Sequence, residues 1–326
     1  MKILYFTDTH IRGTNPRNRK DDFEQTLKMK IQEVVEISNR EKVDYVFHGG
    51  DLFDRPDVSI AIVGEFAKIF QKFKMPVYIV SGNHDIYGHN PKTLNRTMLG
   101  LLTNLGLINL VDENPIYLEK GGIKIQLTAN PYNIGMEDAA NKYKYKVLKK
   151  AEDFDFSIHL VHGFLLDKPF LKNVPHTLIS EISDTLADIT LAGHYHIGFK
   201  TQIIDNKYFI NPGSLVRISN SMQEIKRKPK VVLINLSDKI EIKDIFLKNA
   251  LPGELVLDRT EIESAKFKRS KMYEFKEIIE STTFLGTLDI FTLLTTIAKN
   301  ESIDEKVRKE AVKRIQEIQI KEADYN

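Results

Sequence analysis

The chain has 326 residues, of which 42% are hydrophobic and 28% are charged, and its formal net charge at pH 7 is +2. This is the composition of a globular protein with one large domain and an appendage, or with two domains. The sequence has no cysteine, which excludes disulfides and thiolate metal sites. The total charge shows no strongly basic nucleic-acid-binding domain, so any site for a polyanion must be a local patch. We find no signal peptide and no apolar run of membrane-spanning length, so we expect a cytoplasmic protein without a membrane partner.

The beginning of the chain alternates strand-like and helix-like patterns. Short apolar runs predict strands at 2–7, 44–51 (including the turn that follows) and 76–81. Apolar residues that recur every three to four positions predict helices at about 22–40 and 58–73. This alternation indicates an α/β core with parallel neighbouring strands.

The middle of the chain is richer in strands. We predict them at 115–119, 123–129, 156–161, 188–192, 198–204, 207–210, 230–236 and 240–247. Because many are short and closely spaced, we expect this half to be largely antiparallel, with one helix at 137–152. The predicted fold class is α/β, with two packed mixed β-sheets flanked by helices in a four-layer α/β/β/α sandwich and a small, mainly helical C-terminal region.

The pattern changes after Leu247. Pro252-Gly253 is a plausible break, and the chain then becomes charged and mainly helical. We therefore predict one domain over 1–248 and a C-terminal region over 249–326, whose last helices lie at about 285–299 and 303–322. Ser302 and Glu305 fit the reciprocal serine–glutamate cap at the start of the second helix.

Five short polar blocks follow the ends of predicted strands. In chain order they are Asp8-Thr9-His10, Gly50-Asp51-Leu52-Phe53-Asp54, Gly82-Asn83-His84-Asp85, His162-Gly163 and Gly193-His194-Tyr195-His196. Carboxylates, imidazoles and an amide oxygen are ligands that divalent manganese or iron accepts. Each block alone would more simply be a turn, a cap or a single histidine in the core or on the surface. Together, in order and at strand ends, they predict one two-metal phosphoesterase site.

Spacing gives some of these residues specific roles. Asp8 and His10 lie two apart, so both side chains would face one metal. Asp51 follows two glycines that allow a tight turn, which suits a carboxylate that bridges two cations.

The residues of the third block are expected to have different roles, some at the metal and some at the substrate. Asn83 would offer its amide oxygen to the second metal, which leaves the adjacent His84 for the substrate, and we expect Asp85 to orient His84 through a hydrogen bond. We assign His159, three residues before His162, to structure.

These blocks resemble the pattern of the calcineurin-like metallophosphoesterase superfamily, over about residues 1–248. That pattern reads Asp-x-His, Gly-Asp-x-x-Asp-Arg, Gly-Asn-His-Asp/Glu, His and Gly-His-x-His, and Asp54-Arg55 completes its second block. The resemblance implies two divalent metal ions, for which we expect Mn²⁺, with Mg²⁺, Fe²⁺ and Zn²⁺ as alternatives. The implied ligands are Asp8, His10, Asp51 and His196 for one ion and Asp51, Asn83, His162 and His194 for the other.

The same resemblance implies a mechanism, in which a metal-bridging hydroxide attacks the phosphorus in line. His84 would stabilise the transition state or protonate the leaving oxygen. Asp54 and Asp85 are predicted as further catalytic residues.

Within the superfamily, the run Gly-Asp-Leu-Phe-Asp-Arg-Pro and the later Asn211-Pro-Gly-Ser214 are similar to the SbcD branch, the nuclease subunits of double-strand-break repair complexes. This implies a DNA exonuclease, with endonuclease activity as a further expectation, in DNA repair, recombination and replication. Its partners would be DNA and a coiled-coil SbcC-type ATPase bound through helices 285–322, and a homodimer is a further option. Because the tail is short for this branch, 249–326 would be a reduced capping region.

Basic residues near the first block suggest where DNA would pass. The loop over 12–20 leaves the first strand beside Asp8 and His10. The predicted DNA contacts are Arg12, Arg17, Arg19, Lys20, Arg55 and Arg217. We interpret two other basic stretches as the solvent face of a helix (142–150) and an exposed turn (226–230).

Three alternatives stay open. The main one is a stand-alone phosphodiesterase for small substrates such as cyclic nucleotides, which would have a closed pocket and no need of the 12–20 loop. A protein phosphatase is the second. The third is a non-catalytic scaffold that works through its helical tail, and the intact ligand set argues against it.

Overall fold

The computed structural model describes residues 1–283, 298 and 303–323. It divides into two compact units, Met1–Asp258 and Arg259–Asn326. All five polar blocks lie in the first unit. Among the described residues, no helix combines the length and the apolar character needed to cross a bilayer.

The first unit is built on two six-stranded sheets. In chain order the strands are β1 (Lys2–Phe6), β2 (Tyr45–His48), β3 (Val77–Ile79), β4 (Asn109–Leu110), β5 (Ile116–Lys120), β6 (Ile123–Asn130), β7 (Phe156–Gly163), β8 (Leu165–Leu166), β9 (Thr177–Leu178), β10 (Ile189–His194), β11 (Phe199–Ile204), β12 (Lys207–Asn211), β13 (Lys230–Leu236) and β14 (Ile240–Phe246). The short β8 and β9 pair only with each other.

Both sheets are mixed. The first has the order β14-β13-β1-β2-β3-β4, and β1 to β4 run parallel. The second has the order β11-β12-β10-β7-β6-β5, in which β6, β7, β10 and β12 are parallel and only the outer strands β5 and β11 are antiparallel. The expectation of a largely antiparallel second half is therefore wrong, because long crossovers after β6 and β7 return the chain in the same direction.

The helices that the structure describes cover the first sheet and form the second unit. They are α1 (Phe23–Glu41), α2 (Ile60–Phe70), α3 (Met98–Asn104), α4 (Met222–Lys226), α5 (Gly253–Val256), α6 (Thr260–Thr283) and α7 (Glu305–Ala323). At the start of α1 the Asp22 carboxylate accepts the amide of Gln25 at 3.0 Å, and the helix ends at Lys42 in a left-handed conformation. A side-chain acceptor at the first turn and a left-handed residue after the last are ordinary helix boundaries.

The core lies in layers on either side of the first sheet. Ile3 and Tyr5 of β1 pack between the two sheets, whereas Leu4 and Phe6 pack under α1 and α2. Because both faces of β1 are covered, its sequence is a continuous apolar run rather than an alternating one. The hydroxyl of Tyr5 also donates to the carbonyl of Ala192 at 2.8 Å, which joins the sheets directly.

The helix predicted at 137–152 is replaced by a short 3₁₀ segment, Ala139–Tyr145, and irregular chain. Tertiary contacts account for the difference, since Val147 exchanges hydrogen bonds with Thr185 and Leu186. The basic side chains of this stretch are likewise not a free helix face. The pairs are Lys142 with Glu181, Lys146 with Asp184 and Lys150 with Asp188. The fold prediction otherwise holds, with 3₁₀ segments forming the layer outside the second sheet.

The second unit contains α6 and α7. The helix predicted at 303–322 is confirmed as α7, and the Asp304 carboxylate accepts the amide of Lys306 at 2.8 Å near its start. Apart from residue 298, the helix predicted at 285–299 lies outside the described residues, as does the capping residue Ser302.

Candidate metal centre

The two sheets bring the five polar blocks to one edge. β1, β2 and β3 are parallel neighbours, so the segments that follow them begin at the same end of the first sheet. In the second sheet β7 and β10 are also parallel, with Gly193 aligned to His162. Side chains from five strand ends therefore converge, as ligands do at the carboxyl edge of open α/β sheets.

One donor group consists of Asp8, His10, Asp51 and His196, whose ligand atoms all lie within 4.8 Å of one another. The Nε2 atoms of His10 and His196 are 3.0 Å apart. Asp8 Oδ1 lies 3.8 Å from the first of these nitrogens and 3.5 Å from the second. Such spacings arise when several atoms bind one cation at about 2.0–2.2 Å, so the group fits a divalent ion.

A second donor group shares Asp51 and adds His162 and His194. His162 Nε2 lies 3.3 Å from Asp51 Oδ2 and 3.3 Å from the amide oxygen of Asn83. The two groups thus overlap at one carboxylate, which is the arrangement that a two-metal site requires.

The ring of His162 is oriented so that one nitrogen can bind a cation. Its Nδ1 lies 2.7 Å from the carbonyl oxygen of Gly49, to which it donates. Nε2 therefore points toward the oxygens of Asp51 and Asn83. In the absence of a metal, burial disfavours the charged ring, but the charge of Asp51 outweighs it and raises the pKa of His162 to about 9. A divalent ion bound to Nε2 would take the place of that proton.

The remaining donors support the same conclusion. Asp51 Oδ2 is buried and has no hydrogen-bond partner. Burial lowers the pKa of His10 to about 3 and that of His194 to about 4, so both rings are neutral, which is the form that binds metals. Burial favours neutral Asp8, but the hydrogen bond and charge of His196 prevail and lower its pKa. The donor set therefore fits two divalent cations that share Asp51.

The backbone of this site is strained. Positive φ angles occur at Asp8 (53°), His10 (46°), Asp51 (52°) and His194 (73°). Each such non-glycine residue costs on the order of 1–3 kcal/mol and persists only where its surroundings impose it. Here Asp8 N donates to Gly50 O at 3.1 Å and His10 N donates to Asp51 O at 3.0 Å, so the first two turns hold each other in place.

Two glycines permit the close approach of these turns. Gly50 has a φ of 100°, and a Cβ there would lie 2.4 Å from His162 Nδ1. A Cβ on Gly82 would lie 2.5 Å from the backbone nitrogen of Asp51. Any larger residue at either position would displace a predicted ligand.

His84 and Asp85 differ from expectation in their hydrogen bonds. His84 Nδ1 is 2.8 Å from the carbonyl oxygen of Asp54, so the backbone of Asp54, not Asp85, orients the ring. The buried Asp85 carboxylate instead accepts the amides of Phe53 (3.1 Å) and Gly82 (2.9 Å). Burial, reinforced by the charge of Asp51, raises the pKa of Asp85 to about 7. Asp85 is therefore a positioning residue that braces two metal-site turns.

A third donor group, His10, Asp54 and His84, also lies within 4.8 Å. Its carboxylate is already engaged, since Arg12 lies 2.9 Å from Asp54 Oδ2. Asp54 Oδ1 is 3.7 Å from His10 Nδ1. We therefore interpret Asp54 as a support for His10 and His84 rather than as a ligand.

Sequence reasoning missed several supporting residues. The hydroxyl of Thr7 donates to Asp8 Oδ2 at 2.6 Å, and that of Ser214 donates to the Asp8 carbonyl at 2.8 Å. The buried His48 accepts the amide of Gly50 at 3.1 Å. The position of Ser214 after Asn-Pro-Gly was a visible signal, whereas Thr7 and His48 had none beyond their place beside the blocks.

The predicted DNA contacts are only partly at the surface. Arg19 and Arg217 are buried and donate to main-chain carbonyls, Arg19 to Arg217 O at 3.1 Å and Arg217 to Leu251 O at 2.7 Å. Their prediction as DNA contacts is therefore wrong. Arg12 is half-buried against Asp54. The exposed members are Arg17, Lys20 and Arg55.

Arg19 and Arg217 belong to what we call the buried cation cluster, which also contains Lys30 and Arg227. Lys30 Nζ donates to Leu215 O at 3.1 Å. Arg227 donates to the carbonyls of Ser214 and Val216, both at 2.6 Å, and to Glu224 at 2.8 Å. The Arg227 side chain is thus only 8% exposed, whereas Lys226 and Lys228 on either side of it are exposed as predicted. The cluster holds the segment that carries Ser214.

The fold and the donor set define a metal-dependent phosphoesterase of the two-sheet type. The sequence profile of the calcineurin-like phosphoesterase family matches residues 1–198, a span that contains all the predicted metal ligands. The chain belongs to this family.

Individual relatives extend the similarity beyond residue 198. The double-strand break repair protein mre-11 of Caenorhabditis elegans is 23% identical over 325 residues, which cover 79% of this chain and 43% of that protein. The DNA double-strand break repair protein Mre11 of Methanococcus maripaludis is 24% identical over 343 residues, which cover 96% of this chain and 87% of that protein. The chain spans about half the length of the first curated relatives it matches.

A solved structure shows the same fold. GAP50, described as the anchor in the inner membrane complex of Plasmodium, superimposes with a TM-score of 0.50 at 12% identity and covers 77% of this chain and 86% of its own. At this identity the similarity concerns the fold alone.

Proposed function

We propose that this protein is a two-metal-dependent DNA nuclease, an exonuclease that also acts as an endonuclease, in double-strand-break repair. The observation that carries the proposal is the buried carboxylate of Asp51, which two donor groups share at one strand edge and whose Oδ2 lies within 4 Å of His10 and His162 without a hydrogen-bond partner. Relatives named as double-strand break repair proteins match 79–96% of the chain, which supports DNA as the substrate. The basic loop at 12–20 supports it less, because Arg19 is buried and Arg12 is paired.

Each ion has a proposed set of four ligands. Asp8, His10, Asp51 and His196 would hold the first, and Asp51, Asn83, His162 and His194 the second. Oxygen and nitrogen donors without thiolate suit Mn²⁺, and also Mg²⁺, Fe²⁺ or Zn²⁺. When bound, such ions supply Lewis-acid charge at phosphoryl oxygens and a water of lowered pKa.

His84 would act directly on the substrate. Its Nδ1 donates to Asp54 O at 2.8 Å, so in the doubly protonated ring the second N–H, at Nε2, would donate to a phosphoryl oxygen or pass its proton to the leaving oxygen. The ion pair between Arg12 and Asp54 (2.9 Å) keeps this turn in place.

The first test uses purified protein with Mn²⁺, end-labelled duplex DNA and, in parallel, cyclic nucleotides. We expect release of nucleotides from DNA ends. His84→Ala should lower the rate by about 10²–10⁴-fold, typical for loss of a general acid or base, while Mn²⁺ affinity stays within a few fold. Tyr117→Ala, which removes an exposed ring from β5, is the control and should match the wild type.

The result can contradict the proposal in two ways. Turnover of cyclic nucleotides with DNA left intact would make the protein a small-substrate phosphodiesterase. Equal loss of Mn²⁺ binding and of activity in His84→Ala would make His84 a metal ligand.

The second unit is the proposed site for a coiled-coil SbcC-type ATPase, and region 249–326 is the proposed reduced cap. Phe267, Met272 and Tyr273 are 65%, 71% and 63% exposed and, at about 100° per residue, project to different sides of α6, so this helix carries exposed apolar side chains around its circumference. Phe267→Glu with Met272→Glu should abolish co-purification with the co-expressed ATPase and leave the nuclease activity of the isolated protein intact. Undiminished co-purification would exclude this surface.

A further inference from the structure

A cavity of about 380 Å³ lies on the outer face of the second sheet, where no proposed metal ligand lines it. Its wall includes Gln126, Thr128 and Asn130 of β6. These residues alternate with Ile125 and Leu127, which pack between the two sheets, so the cavity is on the opposite side of the strand. We call it the outer-face groove, and the proposed function does not yet use it.

The outer-face groove leads away from the metal centre. β6 and β7 are parallel, with Asn130 opposite Val161 and Gln126 opposite Ser157. Val161 directly precedes His162, a proposed metal ligand. The strand between Gln126 and Asn130 is about 13 Å long, at about 3.3 Å per residue. One end of the groove therefore lies beside the ligand edge, and the groove extends from there across the outer face of the sheet.

The rim of the groove carries more positive than negative charge. Three lysines line it, Lys144, Lys146 and Lys149, against one carboxylate, Glu113. Lys144 donates to a neutral side-chain amide, and Lys149 has no carboxylate partner in the part of the chain that the structure describes. Lys146 lies 2.7 Å from Asp184, whose side chain is 73% exposed. Because such an exposed ion pair is weak, a phosphate can replace it, and the rim favours an anion.

The floor of the groove offers little to distinguish one base from another. The side-chain amide of Gln126 is hydrogen-bonded to the main chain through both its nitrogen and its oxygen. Both ring nitrogens of His159 have partners within 3.0 Å. The ring of Tyr143, in contrast, is 53% exposed at the rim and presents an aromatic face. Recognition would therefore use charge and stacking rather than the edges of bases.

We propose that the outer-face groove binds single-stranded DNA, the strand that extends from the metal centre, with Lys144, Lys146 and Lys149 at its phosphates and Tyr143 stacked on a base. The proposal rests on the proposed nuclease function and extends it to DNA beyond the cleaved bond. A positively charged groove with an exposed aromatic ring holds single strands without reading their sequence.

The first experiment locates the strand by protection of a thiol. Because the chain has no cysteine, Leu148→Cys places a single thiol in the groove without removing a lysine, at a side chain that is 68% exposed. With EDTA present, an oligothymidylate of about ten nucleotides, within the site sizes of single-strand grooves, should slow its labelling by a maleimide. The slowing should be about tenfold at ten times Kd, since only free protein reacts. Ile203→Cys, at a 58% exposed residue of β11, is the control and should label at an unchanged rate.

The outcomes separate this proposal from the nuclease assignment. Unchanged labelling of Leu148→Cys would overturn the strand site even if the protein cleaves DNA in Mn²⁺. Protection without cleavage would support the strand site while the nuclease assignment fails. Thymidine monophosphate or polyaspartate that protects as well as the oligonucleotide would make the groove a site for free nucleotides or acidic peptides and would also overturn the proposal.

Two variants test the predicted contacts by fluorescence anisotropy of the same oligonucleotide in EDTA. Lys149→Gln should reduce the slope of log affinity against log salt by about 0.7, the value for one phosphate of a single strand. Tyr143→Ala should weaken binding about tenfold without changing that slope, as loss of one stacked base does. The controls are Lys243→Gln and Phe246→Ala, an exposed lysine and an exposed ring on β14, and both should bind as the wild type. Wild-type affinity and slope in Lys149→Gln and Tyr143→Ala would place the strand elsewhere.

Discussion

The metal centre and the buried cation cluster are two polar groups in the same unit, and they differ in how their hydrogen bonds are satisfied. In the metal centre Asp51 Oδ2 has no hydrogen-bond partner, and the Nε2 atoms of His10 and His196 face each other at 3.0 Å. In the cation cluster Lys30 and Arg217 donate to main-chain carbonyls. A buried polar group whose hydrogen bonds are made by its surroundings is part of the scaffold, and one that is left without a hydrogen-bond partner indicates a missing ligand.

The two groups are also connected. Arg227 of the cation cluster holds the carbonyls of Ser214 and Val216, and Ser214 in turn donates to the carbonyl of Asp8. Asp8 has a positive φ of 53°. The cation cluster therefore supports the strained turn that presents a proposed ligand.

The largest effect should come from removal of the shared carboxylate in the metal centre. Asp51→Asn should reduce diester hydrolysis by more than ~10³-fold, because even loss of outer-shell partners typically costs 10–100-fold. It should also abolish stabilisation by Mn²⁺, which for the wild type is about 2.7 kcal/mol at a hundredfold excess over Kd. Activity assays and thermal unfolding with and without Mn²⁺ measure both effects.

The control for this variant is Asp57→Asn, the same change at a side chain that is 56% exposed. It should behave as the wild type. If Mn²⁺ still stabilises Asp51→Asn fully, the shared carboxylate is not a ligand and the contrast between the two groups fails.

The next largest effect should come from creating an unmet charge in the cation cluster. Arg227→Ala removes the guanidinium that donates to Glu224 and to the carbonyls of Ser214 and Val216, and Glu224 is 1% exposed. Breaking a buried ion pair on one side costs about 3–5 kcal/mol. Urea unfolding of the metal-free protein should show a loss of this size.

Arg227→Ala should also weaken Mn²⁺ binding by about 10–100-fold, as removal of outer-shell support does elsewhere. Lys226→Ala changes the adjacent, less buried cation and serves as the control. A destabilised Arg227→Ala protein with unchanged Mn²⁺ affinity would show that the two groups are independent.

The smallest effect concerns a third kind of buried polar group, a histidine with both nitrogens paired. His159 lies 2.9 Å from the hydroxyl of Thr128 and 3.0 Å from the carbonyl of Lys144, so its neutral ring is satisfied. Burial lowers its pKa from 6.5 to about 4. The unfolded chain therefore binds a proton that the folded protein rejects, and stability falls as the pH drops from about 6.5 to 4.

His159→Gln should remove this dependence. The unfolding free energy of the wild type should fall relative to that of the variant by about 3 kcal/mol across this window, at about 1.4 kcal/mol per pH unit. Above pH 7 the difference should be constant. If the unfolding free energies of the wild type and of His159→Gln differ by the same amount at every pH, His159 has the same pKa in the folded and the unfolded protein.

The sequence predicted the strand ends well, because an apolar run that stops at Gly, Asp, Asn or His is typical of a buried strand followed by a turn. It placed Asp8, Asp51 and His162 at one edge because parallel strands end together. The positive φ angles at Asp8 and His194 could not be predicted from the sequence, because hydrogen bonds to distant segments impose this left-handed conformation.

The errors of the sequence-based prediction have a common origin. Arg19 and Arg217 resembled surface residues because charged side chains are rarely buried, and the carbonyls that accept their hydrogens come from distant segments. The helix predicted at 137–152 does not form because Val147 makes hydrogen bonds with Thr185 and Leu186, which lie 38 and 39 residues further along the chain. The pattern of neighbouring residues in the sequence does not show which distant segments will supply these hydrogen-bond partners.

The central position of β1 has a consequence for biosynthesis. Its register with β13 pairs Lys2 with Asn235, and its other neighbour is β2. The first sheet is therefore incomplete until residues near 236 have left the ribosome, and pairings this distant in sequence form slowly. We expect nascent chains that stop before β13 to stay sensitive to protease and unable to retain Mn²⁺. Synthesis itself would then delay hydrolytic activity until almost the whole first unit exists.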